Sequence, residues 1–240
     1  MKNKLYISYL ITILFFATLI VAFISWIGNI YEWPVQSLFS PEGIRWALRH
    51  VDENLYQSPF ISIFILLIGL GMAEASGLFC ALHQHIRRLS LHKSLSRKQK
   101  RALLLALLSG LLYILLIGIA TFSPLAILLG ITGTLDRSPF IEGIIPLISM
   151  AFGITGFVFG IASGQFHNSR DIIVGMEYLP SRLITYFIYL FITAQFLGFL
   201  QYSQIDVCLG IGKNALNILH TLLYYIPLIY LYLQSYLNYK

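Results

Sequence analysis

Charge is what this chain has least of. Asp, Glu, Lys and Arg together make up 11% of its 240 residues, against about 25% in a typical soluble domain. So few charges could not cover a soluble surface of that size. Cysteine is scarce too: only Cys80 and Cys208 are present. In the topology derived below they lie near opposite faces of a membrane, out of reach of a disulfide, which leaves two small apolar residues in helices. Acid is absent from residues 83–101, HQHIRRLSLHKSLSRKQKR, although that stretch holds seven of the sixteen Lys and Arg residues. No nucleophile–base pair, metal-ligand set or paired carboxylates fall within reach of one face. That argues against an enzyme, a metal site and a cofactor. His83, His85 and His92 invite a metal reading, but residues two apart on a helix point to different sides.

What is present is apolar. Hydrophobic residues reach 58%, above the usual 45–50% or so, and the surplus must face lipid. The net charge of +6 is crowded between apolar runs. That is the pattern of topology signals and anionic headgroups rather than of nucleic-acid binding.

Residues 5–27 carry no charge, and about 20 apolar residues cross a bilayer. The run is too long for a signal peptide, so it is read as a retained first helix with Trp26, Tyr31 and Trp33 at the outer interface. Ser40-Pro41-Glu42-Gly43 is a helix start. Beyond it Ile44, Leu48, Val51 and Leu55 share a face, which predicts a short amphipathic helix on the outer surface, either a lid or a connector among headgroups.

Further spans are expected at about 59–82, 102–122, 140–164, 183–202 and 215–237, with 165–182 a polar connection. Glu74 falls deep inside the second. It is either a proton or cation site, or a neutral hydrogen-bonded acid, or one reaching for Arg87 or Arg88. Gly69, Gly71 and Gly77 in that span, and Gly156, Gly160 and Gly164 in the fourth, are candidate close-packing positions. Pro146 is a candidate bend. Gln195 and His220 are the polar candidates of the last two spans. The fold class is thus all-α integral membrane, one multi-pass domain over 1–240. With both termini inside, twelve Lys and Arg residues fall inside and four outside, which predicts cytoplasmic termini in a cell (inner) membrane.

Three sets of residues resemble the AbgT family of p-aminobenzoyl-glutamate transporters. The first is LFSPEGIRW at 38–46 with GLGMAEASGL at 69–78. The second is SPFIEGIIPLI at 138–148. The third is Gly160-Ile161-Ala162, then Asp171, Met176 and Ala194-Gln195-Phe196. The run 95–101 is similar to the family's cytoplasmic lead-in to a later helix. The resemblance implies a membrane transporter, a homodimer, and a substrate such as p-aminobenzoyl-glutamate or a related aromatic amide or carboxylate, with proton coupling. Glu74 and Gln195 match polar intramembrane positions of the family pattern. The family's two re-entrant hairpins have no counterpart here: the sequence has no Asp-Ala-Ala and no Pro-Pro, and residues 92–95 read as a junction. The alternative is therefore a scaffold or assembly partner that keeps the helices without the substrate site.

Overall fold

The computed structural model describes residues 2–88, 96–122, 127–130, 134–136 and 138–237. His92, the junction expected at 92–95 and Arg137 lie outside these. Among the described residues the elements are α1 (Lys2–Ile30), α2 (Pro41–Arg49), α3 (Val51–Gln57), α4 (Phe60–Ala75), α5 (Leu78–Arg88), α6 (Arg97–Phe122), α7 (Pro139–Glu142), α8 (Ile144–Ser163), α9 (Ser169–Arg182), α10 (Ile184–Ser203), α11 (Ile205–Cys208) and α12 (Lys213–Leu237). Five stretches, Tyr6–Ile30, Arg97–Phe122, Ile144–Ser163, Ile184–Ser203 and Lys213–Leu231, are long and apolar enough to cross a membrane. A sixth is added if the broken pair α3–α4 counts as one span. The protein is an all-helical, multi-pass membrane protein.

Packing divides the chain into two compact units, Met1–Ile61 with Leu183–Lys240, and Ser62–Arg182. In the first unit α1 packs along α10. Of the five residues that α1 buries among those described, Ile7, Leu14, Val21 and Gly28 recur every seven positions and Ser25 lies one turn before the last, close to the spacing of a left-handed helix crossing. Its other side, with Tyr9, Ile13, Phe16 and Ile20, is more than half exposed, as a lipid-facing surface would be. At its end Ser25 Oγ accepts from the Leu38 amide at 3.1 Å, which ties the connection back onto the helix.

The expected outer-surface helix is two helices, α2 and α3, meeting at His50. Ser40 caps α2 by accepting from the Gly43 amide, with Pro41 at the first helical position. The face predicted to be apolar does not fold inward: Ile44 and Leu48 are 51% and 75% exposed, which suits a helix lying in headgroups. The anchor is Trp46, stacked on Tyr202 of α10 at 4.4 Å between ring centroids.

In the second unit α6 and α8 run antiparallel: Gly110 meets Thr155, and Tyr113 Oη donates to the Leu147 carbonyl at 3.2 Å. Ala73, Ala81, Ala102 and Ala106 pack with Leu78, Leu103 and Phe159 into its core. Small side chains let helix backbones close on one another where burial from water supplies no drive.

Three expected segments differ. The span 59–82 is not one helix: α4 ends at Ala75, Gly77 turns with φ +79°, and α5 begins. The span 140–164 is interrupted at Gly143, so Pro146 sits in the first turn of α8 and needs no bend. The polar connection 165–182 contains a 14-residue helix, α9. Asp171 Oδ2 accepts from the His167 and Asn168 amides at 2.8 and 3.2 Å, and these bonds hold its carboxyl below the usual carboxylate range.

Candidate functional site

The break after α4 puts Glu74 near a helix end and not in the middle of one continuous helix. It lies in the last turn of α4, one residue from its end, with its side chain 41% exposed. Its partner is neither of the arginines expected from sequence. Glu74 Oε1 is 3.6 Å from Arg182 Nη1, at the C-terminal end of α9. Arg182 in turn donates from Nη2 to Tyr178 Oη at 2.6 Å, and its guanidinium lies 4.0 Å from the centre of that ring. With both charges well exposed, the pair contributes at most about 1 kcal/mol. Arg182 and Tyr178, four apart on α9, are the members sequence reasoning missed. The missing signal was the helix itself.

In the same unit an apolar cavity of about 430 Å³ opens between α4, α8 and α9, lined by Ile65, Met72, Pro146, Ser149, Phe157 and Met176 among others. Its one polar side chain, Ser149, donates to the Ile65 carbonyl at 2.5 Å. The cavity suits apolar matter and offers no free polar group to orient a ligand.

Gln195 is held between helices of the first unit. Its Oε1 accepts from Asn54 Nδ2 at 3.1 Å and its Nε2 donates to the Val51 carbonyl at 2.9 Å. Gly198, one turn on, leaves room for the Asn54 amide, which a Cβ there would strike. Gln195 and Asn54 together fasten α3 to α10. His220 Nε2 stands 3.5 Å from Gln201 Nε2. Glu74 thus lies in one unit and Gln195 and His220 in the other. Among the described residues no hydrogen bond or ion pair joins any two of the three.

The six candidate packing glycines separate by role. A Cβ at Gly69 would strike the Ser149 carbonyl, one at Gly71 would lie 3.1 Å from the Gly175 carbonyl, and one at Gly156 would lie 2.7 Å from Ala73 Cα. Gly160 makes room for the Phe166 ring. Gly77 and Gly164 do other work: both adopt φ +79°, one at the α4 break and one capping α8. Nothing lies within 4 Å of a Cβ built at Gly77. Their conformation, not their small size, is what selects glycine.

A further polar contact escaped sequence reading. Pro227 lies inside α12 and has no N–H to give the carbonyl four residues back, that of Leu223. Tyr189 Oη of α10 donates to that carbonyl at 2.8 Å, and Tyr186 Oη donates to the Tyr224 carbonyl at 2.7 Å. Both tyrosines are almost fully buried. A neighbouring helix supplies the donor that proline removed.

Residues 86–238 match the AbgT putative transporter family. No curated protein matches the sequence. Among solved structures, the fold is similar to MtrF of Neisseria gonorrhoeae, described as illuminating a class of antimetabolite efflux pumps. The TM-score is 0.70 at 14% identity, over 82% of this chain and 70% of that one. It is also similar to the YdaH transporter of Alcanivorax borkumensis, with TM-score 0.65 at 16% identity, over 87% of this chain and 72% of that one. At such identities the likeness speaks for the fold.

Proposed function

We infer function from one premise: this chain belongs to the AbgT family. On that footing the protein is a membrane transporter of the inner membrane, its substrate p-aminobenzoyl-glutamate or a related aromatic amide or carboxylate. It moves a solute and catalyses no reaction. As the resemblance implies, it works as a homodimer. The family match, which runs from α5 through α12, is the observation that supports this reading. Proton coupling rests on Glu74, the acid whose charge holds Arg182 across from α9. In proteoliposomes carrying an imposed pH gradient, uptake should depend on pH, and Glu74→Gln should flatten that dependence. An unchanged profile would return Glu74 to a structural ion pair.

A second reading has its own support. The cavity lacks a free polar group, and the three polar candidates are separately engaged. A scaffold that keeps the family's helices without transport would look like this. It predicts co-purification of another membrane protein and no flux; a lone, monodisperse protein that moves substrate excludes it.

Cytoplasmic termini follow from the twelve-to-four bias of Lys and Arg. The two cysteines test this directly, since both are free and exposed. A membrane-impermeant maleimide applied to intact cells should label Cys208, in α11, and reach Cys80, in α5, only after the membrane is opened. The reverse pattern would invert the topology.

A further inference from the structure

We propose that the first turn of α6 is a docking surface for anionic phospholipid headgroups. Ser96 and Gln99 fix where that turn begins: the Gln99 amide donates to Ser96 Oγ and the Ser96 amide to Gln99 Oε1, each at 3.2 Å. This reciprocal cap holds Arg97, Lys98, Lys100 and Arg101 in helical register directly ahead of the apolar run of α6.

Register then separates the four cations. Ala102 and Ala106 are buried in the core of the unit, and Lys98 lies on that same face. Its Nζ sits 2.6 Å from the position of a Gly164 Cβ, over the C-terminal cap of α8, where a cation suits the helix dipole. Arg97 and Arg101 lie on the other face, in line with Leu104, Leu108, Leu111 and Leu115, each at least half exposed. That line is the lipid-facing stripe of a candidate span, so the two guanidinium groups crown it, with Lys100 beside them. Neither ion pair found among the described residues involves any of the three, and the turn contains no acid.

A lipid whose chains lie on the leucine stripe brings its phosphate to the level of Arg97 and Arg101. With no carboxylate to neutralise them, these cations favour a net negative headgroup over a zwitterionic one. Charge complementarity and continuity with the lipid-facing stripe commit the surface to lipid.

The test is lipid retention by the full-length protein from mixed phosphatidylglycerol and phosphatidylcholine micelles, read by native mass spectrometry. The wild type should retain phosphatidylglycerol preferentially. The triple variant Arg97→Gln, Lys100→Gln, Arg101→Gln should lose about fivefold or more of that preference. Lys98→Gln should keep it, because Lys98 faces α8. Unchanged preference in the triple variant would overturn the proposal. So would an equal loss in Lys98→Gln, which would mark a diffuse effect of net charge. Displacement of the bound lipid by millimolar inorganic phosphate would show a free-anion site instead.

Discussion

Gly69→Leu is expected to leave almost no folded protein, and Gly69→Ala to cost roughly 2–4 kcal/mol, at the upper end for a single added methyl. A Cβ at Gly69 strikes the carbonyl of Ser149 and lies 2.6 Å from its Oγ. The obstacle is backbone, so no rotamer change removes it. α8 cannot easily retreat, because Gly110 of α6 already meets Thr155 of α8 so closely that a Cβ there would lie 2.7 Å from Thr155 Cγ2. The intruding methyl would also disturb the bond from Ser149 to the Ile65 carbonyl, which joins the two helices. Two further substitutions give the scale. Gly118 has nothing within 4 Å of a Cβ, so Gly118→Ala should be neutral or gain up to about 1 kcal/mol from helix propensity. Gly77 is equally open but sits at φ +79°, so Gly77→Ala should lose about 1–2 kcal/mol through backbone strain alone. Thermal unfolding of the three variants in one detergent checks the order. Equal midpoints for Gly69→Ala and Gly118→Ala would contradict it.

Tyr189→Phe is expected to lower stability by about 1–2 kcal/mol, since it leaves the Leu223 carbonyl without its donor. The size of that loss should depend on residue 227. In a Pro227→Ala background the new amide can serve the Leu223 carbonyl, so Tyr189→Phe should cost close to nothing. Tyr186 supplies the control: it donates to the Tyr224 carbonyl, whose helical partner is the amide of Leu228 rather than of Pro227. Tyr186→Phe should therefore cost the same with proline or alanine at 227. A double-mutant cycle on unfolding midpoints separates the two. Coupling at Tyr189 as weak as at Tyr186 would mean that the hydroxyl does not replace the lost amide.

The membrane class was legible because lipid demands long apolar runs, and those are visible without a partner; the break that divides the expected run 59–82 was not. The cap at Ser40 was legible for a related reason: capping is local chemistry, complete within four residues. The break at Ser76–Gly77 was not. A glycine among Gly69, Gly71 and Ala73 looks like one more packing position, and only φ distinguishes it. α1 posed the opposite difficulty. Its few hydroxyl residues fall on both sides, Ser8 and Thr12 exposed and Ser25 buried, so polarity does not reveal which side it buries.

The polar candidates were found as residues but not as contacts. Gln195 was visible as an amide in an apolar helix, whereas its partner Asn54 lies 141 positions away, and no local rule links them. Glu74 was visible as an acid among small residues. Its partner is not visible in the sequence, because residues 165–182 are polar enough to read as a connection and Arg182 gains its place only at the end of α9. Pro227 carried a usable signal that went unread: a proline inside a helix announces an unpaired carbonyl four residues back, and so a donor to be sought on a neighbour.

Transport by a member of this family requires that it bind a solute. The most direct measurement is equilibrium binding of p-aminobenzoyl-glutamate to the purified full-length protein in detergent. The proposed function predicts saturable binding below millimolar ligand, weakened by aromatic carboxylates that compete for the same site. No saturable binding at millimolar ligand, from protein that is monodisperse and folded, would contradict it and leave the scaffold reading.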